Sequence, residues 1–518
     1  MSSLDTSHSD NNTNSNTSYL DAYKTLLKHR HWIVAFSGGL DSTVLLHSVS
    51  EFLQSLHLSQ LTSDQLTNDQ LKDQASSTST DDFTIPSLSA IHINHQLQSV
   101  SADWEKHCQS VCEQLSVPLT IKKVAVANEG KGLESAARQA RYIAFEEQLA
   151  AYSASRPQDN SNISYSAEAD SVLLMGHHAN DQAETLLMRL FRGAGTRGAA
   201  AMPMQRSLGK SQIARPLLHC TRADLAAYAV LNELPYIEDP SNTDESFDRN
   251  FVRQQVLPKL EARWPSVVTL LNRYSEHASG DSELLADLAR LDLQTADASE
   301  ASVVGSKAYG VSLSITACLD LSLKRRGNLL RYWLSAQQLN MPSTAQMAQI
   351  DNLLLSASSG AIVQLGAYRL CPYRDRLYLL SEDTLFQLSQ ALDKNMAWTF
   401  GESMTINGLG TLLVSEEPQL RDDGEVTSEV ASEVASEDSV GLREGVYTLG
   451  RKRDGLHFRY RGMSRSVKKC FNEHGIPPWL RDHYPLLYAG DELAAIPGIL
   501  VCDNHSMVGA CALDWQWD

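Results

Sequence analysis

Short apolar runs alternate with longer amphipathic stretches through the first half of the chain. The apolar runs predict four strands, at residues 32–36, 88–94, 119–126 and 171–175. Apolar positions three or four residues apart predict helices at 19–28, 42–56, 103–115, from 132 onward and again before 189. Apolar strands that alternate with helices form parallel sheets covered on both faces. The pattern therefore predicts an α/β fold, a doubly wound, Rossmann-like parallel sheet.

The second half of the chain changes character. After the α/β domain at 19–250 we expect a helical connector at 251–280 and a mainly helical domain at 281–385, with hairpin-like alternation at 363–380. A small α+β domain is expected at 396–518. Polar segments interrupt this plan as a disordered tail at 1–18 and as inserts at about 57–87, 151–170 and 415–440.

The net charge of −18 is unevenly distributed. The tail and the three inserts carry sixteen of these eighteen charges, and the Ser-Glu-Val-Ala repeat at 428–437 is interpreted as a solvated linker. The folded remainder is nearly neutral, so the overall charge does not exclude a nucleic-acid partner.

Cysteine usage and hydropathy indicate the compartment. Eight cysteines occur without a Cys-x-x-Cys pair, which is typical of reduced thiols and argues against a zinc or disulfide framework. Cys108 and Cys112 lie one helical turn apart and are expected to pack in a helix. No apolar run reaches membrane-spanning length, and the polar N-terminus lacks a signal-peptide core. We therefore expect a cytoplasmic protein with no membrane association.

The stretch 31–47 predicts a strand, a glycine turn and the start of a helix. The turn contains Ser37, Gly38, Gly39, Leu40, Asp41 and Ser42. Free N–H groups and the helix dipole at such a point suit a pyrophosphate group, and a carboxylate there can hold Mg²⁺. The segment is not a Walker loop, because no Gly-Lys-Ser/Thr follows. It has the Ser-Gly-Gly-x-Asp-Ser pattern of the PP-loop ATP pyrophosphatases, whereas the structural alternative is a glycine turn without a ligand.

Further polar residues follow the other predicted strands. His95 follows the second strand, and His177, His178 and Asp181 follow the fourth. Because ligands bind at the carboxyl ends of parallel strands, these side chains are expected near the glycine turn.

A series of motifs in a fixed order carries a more specific resemblance. After the glycine turn come HINHQL at 92–97, GKGLESAAR at 130–138, GHHANDQAET at 176–185, RLFRGAGTRG at 189–198, RPLL at 215–218, EDPSNTDESFDRN at 238–250 and a C-terminal segment at 463–498. The series resembles the tRNA(Ile)-lysidine synthetases over about residues 20–518, apart from the inserts. One departure is Gln98, where that family usually has Arg. Arg138, Arg141 or Arg192 would then supply the charge.

The resemblance implies an ATP-dependent ligase that acts on the wobble cytidine of isoleucine tRNA with a CAU anticodon. ATP would adenylate the base at its 2-carbonyl, and the ε-amine of free L-lysine would displace AMP to form lysidine. Codon recognition would change from AUG to AUA. The cofactors implied are ATP and Mg²⁺, and the oligomeric state is left open, a homodimer being one option.

Catalytic and metal-binding roles then fall on a few side chains. Asp41 is expected to bind Mg²⁺, with Asp181 as a second metal or substrate ligand or, alternatively, a helix N-cap. His177 and His178 can stabilise charge or transfer protons, although either could simply be buried. Glu134 is a candidate for holding the lysine amine, or a surface partner of Arg138 four residues on.

Two groups of basic residues are candidates for tRNA contact. The first comprises Arg189, Arg192, Arg197, Arg249 and Arg253, of which the last two could instead cap the connector helix. The second lies between 451 and 481, where nine Lys/Arg face two acids, and includes Arg465, Lys468 and Lys469. Four interleaved aromatic residues strengthen this second prediction, against the alternative of a solvated face.

Three other functions compete with this interpretation. A tRNA thiolase would need cysteine pairs, and a glutamine-dependent amidotransferase would need a glutaminase nucleophile; neither is evident. A tRNA-binding protein without catalysis would be expected to lose the glycine turn, which is intact here.

Overall fold

The computed structural model of the protein describes residues 11–70, 84–94, 101–124, 133–154, 171–238, 244–297, 310–356, 361–392, 396–406, 410–415, 440–453, 455–508 and 512–517. The chain divides into two compact units, Met1–Glu283 and Leu284–Asp518. His95, Gln98, the side chain of Glu134 and the repeat at 428–437 lie outside what is described. The finer division into three domains and a helical connector stays a prediction.

A six-stranded sheet forms the centre of the first unit. Its strands are β1 (His31–Ala35), β2 (Ser87–Asn94), β3 (Leu119–Lys123), β4 (Ser171–Leu174), β5 (Gln205–Leu208) and β6 (Ser211–Ala214). The order across the sheet is β3-β2-β1-β4-β6-β5, and every pair is parallel except β5 with β6. The predicted doubly wound parallel sheet is confirmed. The antiparallel edge strand β5 was not predicted, because its sequence, Gln-Arg-Ser-Leu, has no apolar run.

Helices cover both faces of this sheet, with α1 (Asn11–Leu26), α2 (Leu40–Gln70), α3 (Ser101–Gln114) and α7 (Arg222–Leu231) on one face and α4 (Leu133–Ala154) on the other. The remaining helical segments are α5 (Ala179–Phe191), α6 (Thr196–Ala199), α8 (Asp248–Phe251), a π-helical turn (Val252–Val256), α9 (Leu257–Arg263) and α10 (Val267–Asp297). Trp32 and Val34 of β1 pack on one face with α1, α2, α3 and α7. Ile33 packs on the other face with Phe145 and Leu149 of α4. Burial on both faces explains the unbroken apolar run of β1.

Two polar segments are helical, in contrast to the prediction. Residues 11–18, assigned to the disordered tail, form the first half of α1, and residues 57–70, assigned to an insert, continue α2. In each case the helix has a buried part, at Tyr23 and Leu26 or at Leu45 to Leu53. Once that part is folded, each further residue gains one backbone hydrogen bond without a new nucleation step. The amino-acid composition of a polar segment therefore does not show whether it extends a neighbouring helix.

The middle of the chain, in the second unit, packs helices on a small sheet. The elements are β7 (Val311–Ser314), α11 (Ile315–Asp320), α12 (Leu323–Ala336), α13 (Thr344–Ser356), β8 (Val363–Leu365), β9 (Tyr368–Tyr373), β10 (Arg376–Ser381) and α14 (Glu382–Ala391). The strands are antiparallel in the order β7-β10-β9-β8. The alternation at 363–380 forms three strands instead of a hairpin, because turns with positive φ occur at both Gly366 and Arg374.

The C-terminal part of the second unit consists of antiparallel sheets with two short helices, in agreement with the predicted α+β class. Its strands are β11 (Met396–Thr399), β12 (Met404–Ile406), β13 (Gly410–Ser415), β14 (Val440–Leu442), β15 (Val446–Gly450), β16 (His457–Tyr460), β17 (Met463–Ser466), β18 (Leu486–Ala489), β19 (Glu492–Ile496), β20 (Leu500–Val501), β21 (Ser506–Val508) and β22 (Ala512–Trp517). Two short helices, α15 (Val467–Glu473) and α16 (Pro478–Arg481), pack on them around Trp398, Phe471 and Tyr484.

Two smaller expectations can be compared with the structure. Cys108 and Cys112 are buried thiols in α3, and burial raises the pKa of each to about 12. Their predicted role in helix packing is confirmed. Across the described residues, no helix is both long and apolar enough to span a membrane.

The loops that follow β1 and β4 approach each other at the point where the strand order reverses. The chain passes from β1 to β2 on one side and from β4 to β6 on the other. A Cβ added to Gly176, after β4, would lie 2.9 Å from the carbonyl oxygen of Asp41 and 3.2 Å from the amide nitrogen of Ser42. Only a residue without a side chain allows this approach, which brings the β4 loop against the start of α2.

We expect Gly176→Ala to destabilise the first unit by about 1–3 kcal/mol, because the clash is with backbone atoms that cannot rotate away. Gly280→Ala is the matched control. Gly280 lies within α10 with nothing within 4 Å of an added Cβ, so alanine there should stabilise the helix by about 0.5–1 kcal/mol. Urea unfolding of both variants is the measurement, and equal midpoints would contradict the close approach.

Candidate active site at the carboxyl end of the parallel sheet

The glycine turn after β1 is fixed by its own hydroxyl groups. Ser37 Oγ and Ser42 Oγ lie 3.0 Å apart, and the amide of Ser37 donates to Ser42 Oγ at 3.2 Å. Ser42 Oγ and Thr43 Oγ1 both donate to the carbonyl of Gly39, at 3.0 and 2.9 Å. These contacts close the turn over the start of α2. The first amides of that helix lack intrahelical acceptors and are free to meet an anion.

Two other segments of the chain pack against Gly38. Its φ is +81°, and an added Cβ would lie 3.0 Å from Cys108 Sγ and 3.2 Å from the ring of His107. Its carbonyl accepts the amide of Ile237 at 2.9 Å. Both the backbone conformation and the space require glycine, because α3 and the segment after α7 press on the turn.

His178 connects the two loops. It is buried at the N-cap of α5, and its Nε2 lies 3.6 Å from Asp41 Oδ2 and 3.5 Å from Asp181 Oδ2. These distances exceed ordinary hydrogen bonds, so the contacts are between charges. Burial disfavours the imidazolium, but Asp41, Asp181 and Glu184 outweigh it, and the pKa of His178 is raised. The two loops therefore share one proton-binding group.

Asp181 and Glu184 form a buried cluster with two arginines. Arg249 donates through Nη2 to Asp181 Oδ1 at 2.8 Å and through Nε to Glu184 Oε2 at 2.8 Å. Arg253, in the π-helical turn, donates to Asp181 Oδ1 at 3.0 Å and to Glu184 Oε1 at 2.6 Å. Burial raises the pKa of Asp181, but His178 and both arginines lower it by a larger amount. The net shift is downward, so the carboxylate is ionised. We call these four residues the carboxylate–arginine cluster.

His177 has the opposite environment to its neighbour. Burial lowers its pKa to about 4; Asp181 opposes this, whereas Arg215, Arg249 and Arg138 add to it. Its Nδ1 is buried without a hydrogen-bond partner. His177 is therefore neutral at pH 7, next to an imidazole that is held toward its charged form.

The predicted site residues converge only in part. The glycine turn, Asp41, His177, His178 and Asp181 meet at one edge of the sheet, as expected. Arg249 and Arg253 bind the two carboxylates, which supports the structural alternative for them, and RNA contact by either stays a prediction. The N-cap alternative for Asp181 is wrong in position, because His178 is the N-cap of α5 and Asp181 is the third residue of the helix. Asp181 still contributes to capping, since its Oδ2 accepts the amide of His178 at 3.1 Å.

The remaining arginines of the first unit have different surroundings. Arg189 donates to the carbonyls of Gly198, at 3.1 Å, and Ala201, at 2.6 Å, and so orders the loop between α5 and β5. Arg192 pairs with Asp248 at 3.3 Å on the surface. Arg197, in the same loop, is exposed.

Sequence reasoning missed Glu184 and Thr43. Glu184 lies three residues after Asp181, on the same face of a helix, and this spacing could have identified it. Thr43 follows the glycine turn directly, where a hydroxyl can reach the Gly39 carbonyl. Neither residue is exposed, so both act by shaping the site.

In the second unit, the basic segment forms the hairpin β16–β17 and the helix α15. Arg465 pairs with Glu473 at 3.2 Å and lies 5.6 Å from the ring centre of Tyr460. Lys468 and Lys469 are exposed in the first turn of α15. Within the described part of the chain, no carboxylate lies within 4 Å of either lysine.

Comparisons with known proteins agree with this geometry. Residues 11–260 match the family model of the PP-loop domain, residues 313–378 the TilS substrate binding domain, and residues 448–517 the TilS substrate C-terminal domain. The tRNA(Ile)-lysidine synthase of Coxiella burnetii is 32% identical over 95% of this chain and 94% of its own length. The enzyme of the same name from Pseudomonas putida is 36% identical over 94% and 95%. This chain therefore belongs to the tRNA(Ile)-lysidine synthase family.

Proposed function

We propose that this protein forms lysidine at the wobble cytidine of isoleucine tRNA with a CAU anticodon, through an adenylated base. ATP-dependent lysidine formation follows from membership of the family. The proposal adds the two steps: adenylation of the base at its 2-carbonyl with release of pyrophosphate, and displacement of AMP by the ε-amine of free L-lysine. The observation that supports it most is the meeting of Ser37–Ser42, Asp41 and His178 where the strand order reverses.

The glycine turn supplies the site for pyrophosphate. Phosphoryl-type transfer is catalysed mainly by positioning and by neutralising charge. The amides of Gly38 to Ser42 and the hydroxyls of Ser37 and Ser42 surround the start of α2, where the helix dipole favours an anion. Burial lowers the pKa of His178, but Asp41 and Asp181 raise it overall and so favour the charged form, which would add positive charge next to the leaving group.

Asp41 has a donor set that fits Mg²⁺. Its Oδ1 is buried and has no hydrogen-bond partner, although the carboxylate as a whole is 32% exposed. A hard divalent ion binds such an oxygen and would neutralise phosphate charge. Asp181 is a weaker candidate, because its Oδ1 already accepts two guanidinium groups and its Oδ2 caps α5. We therefore assign the first metal contact to Asp41.

Free lysine must lose a proton before its amine attacks. Of the candidates with described side chains, neutral His177 has an unpartnered ring nitrogen, and ionised Asp181 is already neutralised by arginines. We infer that His177 accepts a hydrogen bond from the amine and orients it. A catalytic role for Glu134, a homodimer and a cytoplasmic location stay predictions.

The function is tested with Asp41→Asn. Purified protein is incubated with ATP, Mg²⁺, radiolabelled lysine and a transcript of the CAU-anticodon isoleucine tRNA, and pyrophosphate and RNA-bound label are counted. We expect label in RNA with the wild type and a loss of both products on the order of 10²–10³ in the variant. Asp103→Asn, an exposed carboxylate at the start of α3, should behave as wild type. Near-wild-type turnover by Asp41→Asn would overturn the metal assignment; no label with the wild type would overturn the function.

His177 should make stability fall in mild acid. Its pKa is about 4 in the folded protein and about 6.5 when unfolded. Below pH 6.5 the unfolded state binds a proton that the folded state does not, so this contribution to stability is complete above pH 6.5 and declines by about 3 kcal/mol toward pH 4. Urea unfolding from pH 7.5 to 4 should show a shallower decline in His177→Gln. His57→Gln, which removes an exposed imidazole, should keep the wild-type slope; an unchanged slope in His177→Gln would refute the buried neutral state.

We propose that Lys468 and Lys469 of α15 bind tRNA phosphates. Lys468→Ala/Lys469→Ala should weaken tRNA binding and lower the slope of log K against log salt by roughly 0.7–0.9 for each lost contact. Anticodon choice should persist, because phosphate contacts position an RNA without reading its bases. The charge-conserving pair Lys468→Arg/Lys469→Arg is the control and should retain the slope. An unchanged salt titration in the alanine variant would mean that these lysines only solvate the surface.

A further inference from the structure

Tyr142, on α4, is surrounded by three guanidinium groups. The Arg138 guanidinium lies 5.2 Å and the Arg206 guanidinium 4.9 Å from the centre of the phenol ring. Arg138 Nη2 also lies 3.4 Å from the Tyr142 hydroxyl. Arg138 and Arg206 are exposed, while Tyr142 is partly buried between them. We call Arg138, Tyr142, Arg206 and Arg215 the Tyr142 patch.

Arg215 forms the buried floor of this patch. Arg215 is 3% exposed, and its Nη1 donates to the carbonyl of Pro203 at 2.7 Å. Its Nε is buried and has no hydrogen-bond partner. Burial is the main cause that lowers the pKa of Arg215 to about 10, still far above neutrality. Arg215 is also hydrogen-bonded to the Tyr142 side chain, so a charged donor with an unused N–H group is buried next to the phenol.

The patch differs from the carboxylate–arginine cluster in its charge balance. Arg249 and Arg253 each meet two carboxylates. Among the residues that the structure describes, no carboxylate oxygen lies within 4 Å of Arg138, Arg206 or Arg215. The excess of positive charge also affects the phenol. Burial raises the pKa of Tyr142, but the three arginines lower it by more, so the net shift is downward. Three adjacent positive charges without a counter-ion favour an anionic ligand.

The position of the patch links it to the active site. Arg215 follows β6 directly, and His177 follows the neighbouring strand β4, so both lie at the carboxyl edge of the sheet. Arg138 and Arg215 both lower the pKa of His177 electrostatically. Arg138 also lowers the pKa of Arg189, after the larger effect of burial, and Arg189 orders the loop that carries exposed Arg197. Positive charge thus continues from the patch toward this loop.

An extended basic surface fits a polyanion better than a single carboxylate. The α-carboxylate of lysine would need one guanidinium, whereas the patch and the adjoining loop offer several. We propose that the Tyr142 patch binds a backbone phosphate of the tRNA close to the nucleotide that is modified, an inference that rests on the proposed function. Arg206 would contact the phosphate from the exposed side, above the unused Nε–H of Arg215.

The test is Arg206→Ala, compared with Lys210→Ala as the matched control. Both residues are exposed on the β5–β6 hairpin and carry one positive charge, but only Arg206 contacts Tyr142. Filter binding of the tRNA transcript, without ATP or lysine, is measured across a salt series. We expect Arg206→Ala to weaken binding about tenfold, as for one lost charge-assisted contact, and to reduce the salt slope by about 0.7–0.9. Lys210→Ala should change affinity less than twofold, and Arg206→Lys should recover part of the loss.

Two outcomes would overturn the proposal. If Arg206→Ala raises the KM for lysine and leaves tRNA binding unchanged, the patch is a carboxylate site. If neither changes while the melting temperature falls, the arginines serve only packing. Because the binding assay needs no turnover, it separates this inference from the proposed function: absence of lysidine in the wild type would refute the function and leave the phosphate contact to be judged on its own.

Discussion

The carboxylate–arginine cluster is the constraint on which the active-site geometry depends. Asp181 and Glu184 are almost fully buried, and two ionised carboxylates so close together would be strongly unfavourable without compensation. Arg249 and Arg253 supply two positive charges and make hydrogen bonds to both. Loss of one partner from such a cluster typically costs about 3–5 kcal/mol, because a buried charge is left unpaired. The pairing joins α5 to α8 and the π-helical turn, and so fixes the first turn of α5.

From this fixed turn the remaining geometry follows. Asp181 caps α5 through the amide of His178, which places the imidazole within 3.6 Å of Asp41. Adjacent histidines then acquire opposite states: His178 faces carboxylates and is raised in pKa, whereas His177 is buried near arginines and is lowered to about 4. One dipeptide thus places an imidazole whose charged form is favoured beside the glycine turn and a neutral imidazole next to it. The different environments come from α2, α4 and β6, not from the dipeptide itself.

The sequence predicted local features better than contacts between distant segments. The strand, turn and helix at 31–47 could be predicted because the apolar run, the two glycines and the start of the helix lie within seventeen consecutive residues. The pairing of Asp181 with Arg249 spans 68 residues, and a single sequence gives no signal for it. It therefore left Arg249 and Arg253 equally suited to RNA contact and to a structural role. The helical residues 57–70 were misjudged for a related reason, since their helix depends on burial earlier in α2.

The number of charged residues along the chain is a poor guide to RNA contact here. Whether each basic side chain has an acidic partner in the structure is a better guide. Most of the overall charge of −18 belongs to the N-terminal segment 1–18 and to the polar segments at 57–87, 151–170 and 415–440. Among the described residues of the first unit, some arginines have a carboxylate within 4 Å and others, such as Arg138 and Arg206, have none. Arg249 and Arg253 have carboxylate partners and organise the interior, whereas Arg138 and Arg206 surround a phenol and face solvent. A guanidinium without an acidic partner can neutralise an external anion without first breaking an internal ion pair. The same residue type therefore serves the fold at one edge of the site and is available to a ligand at the other.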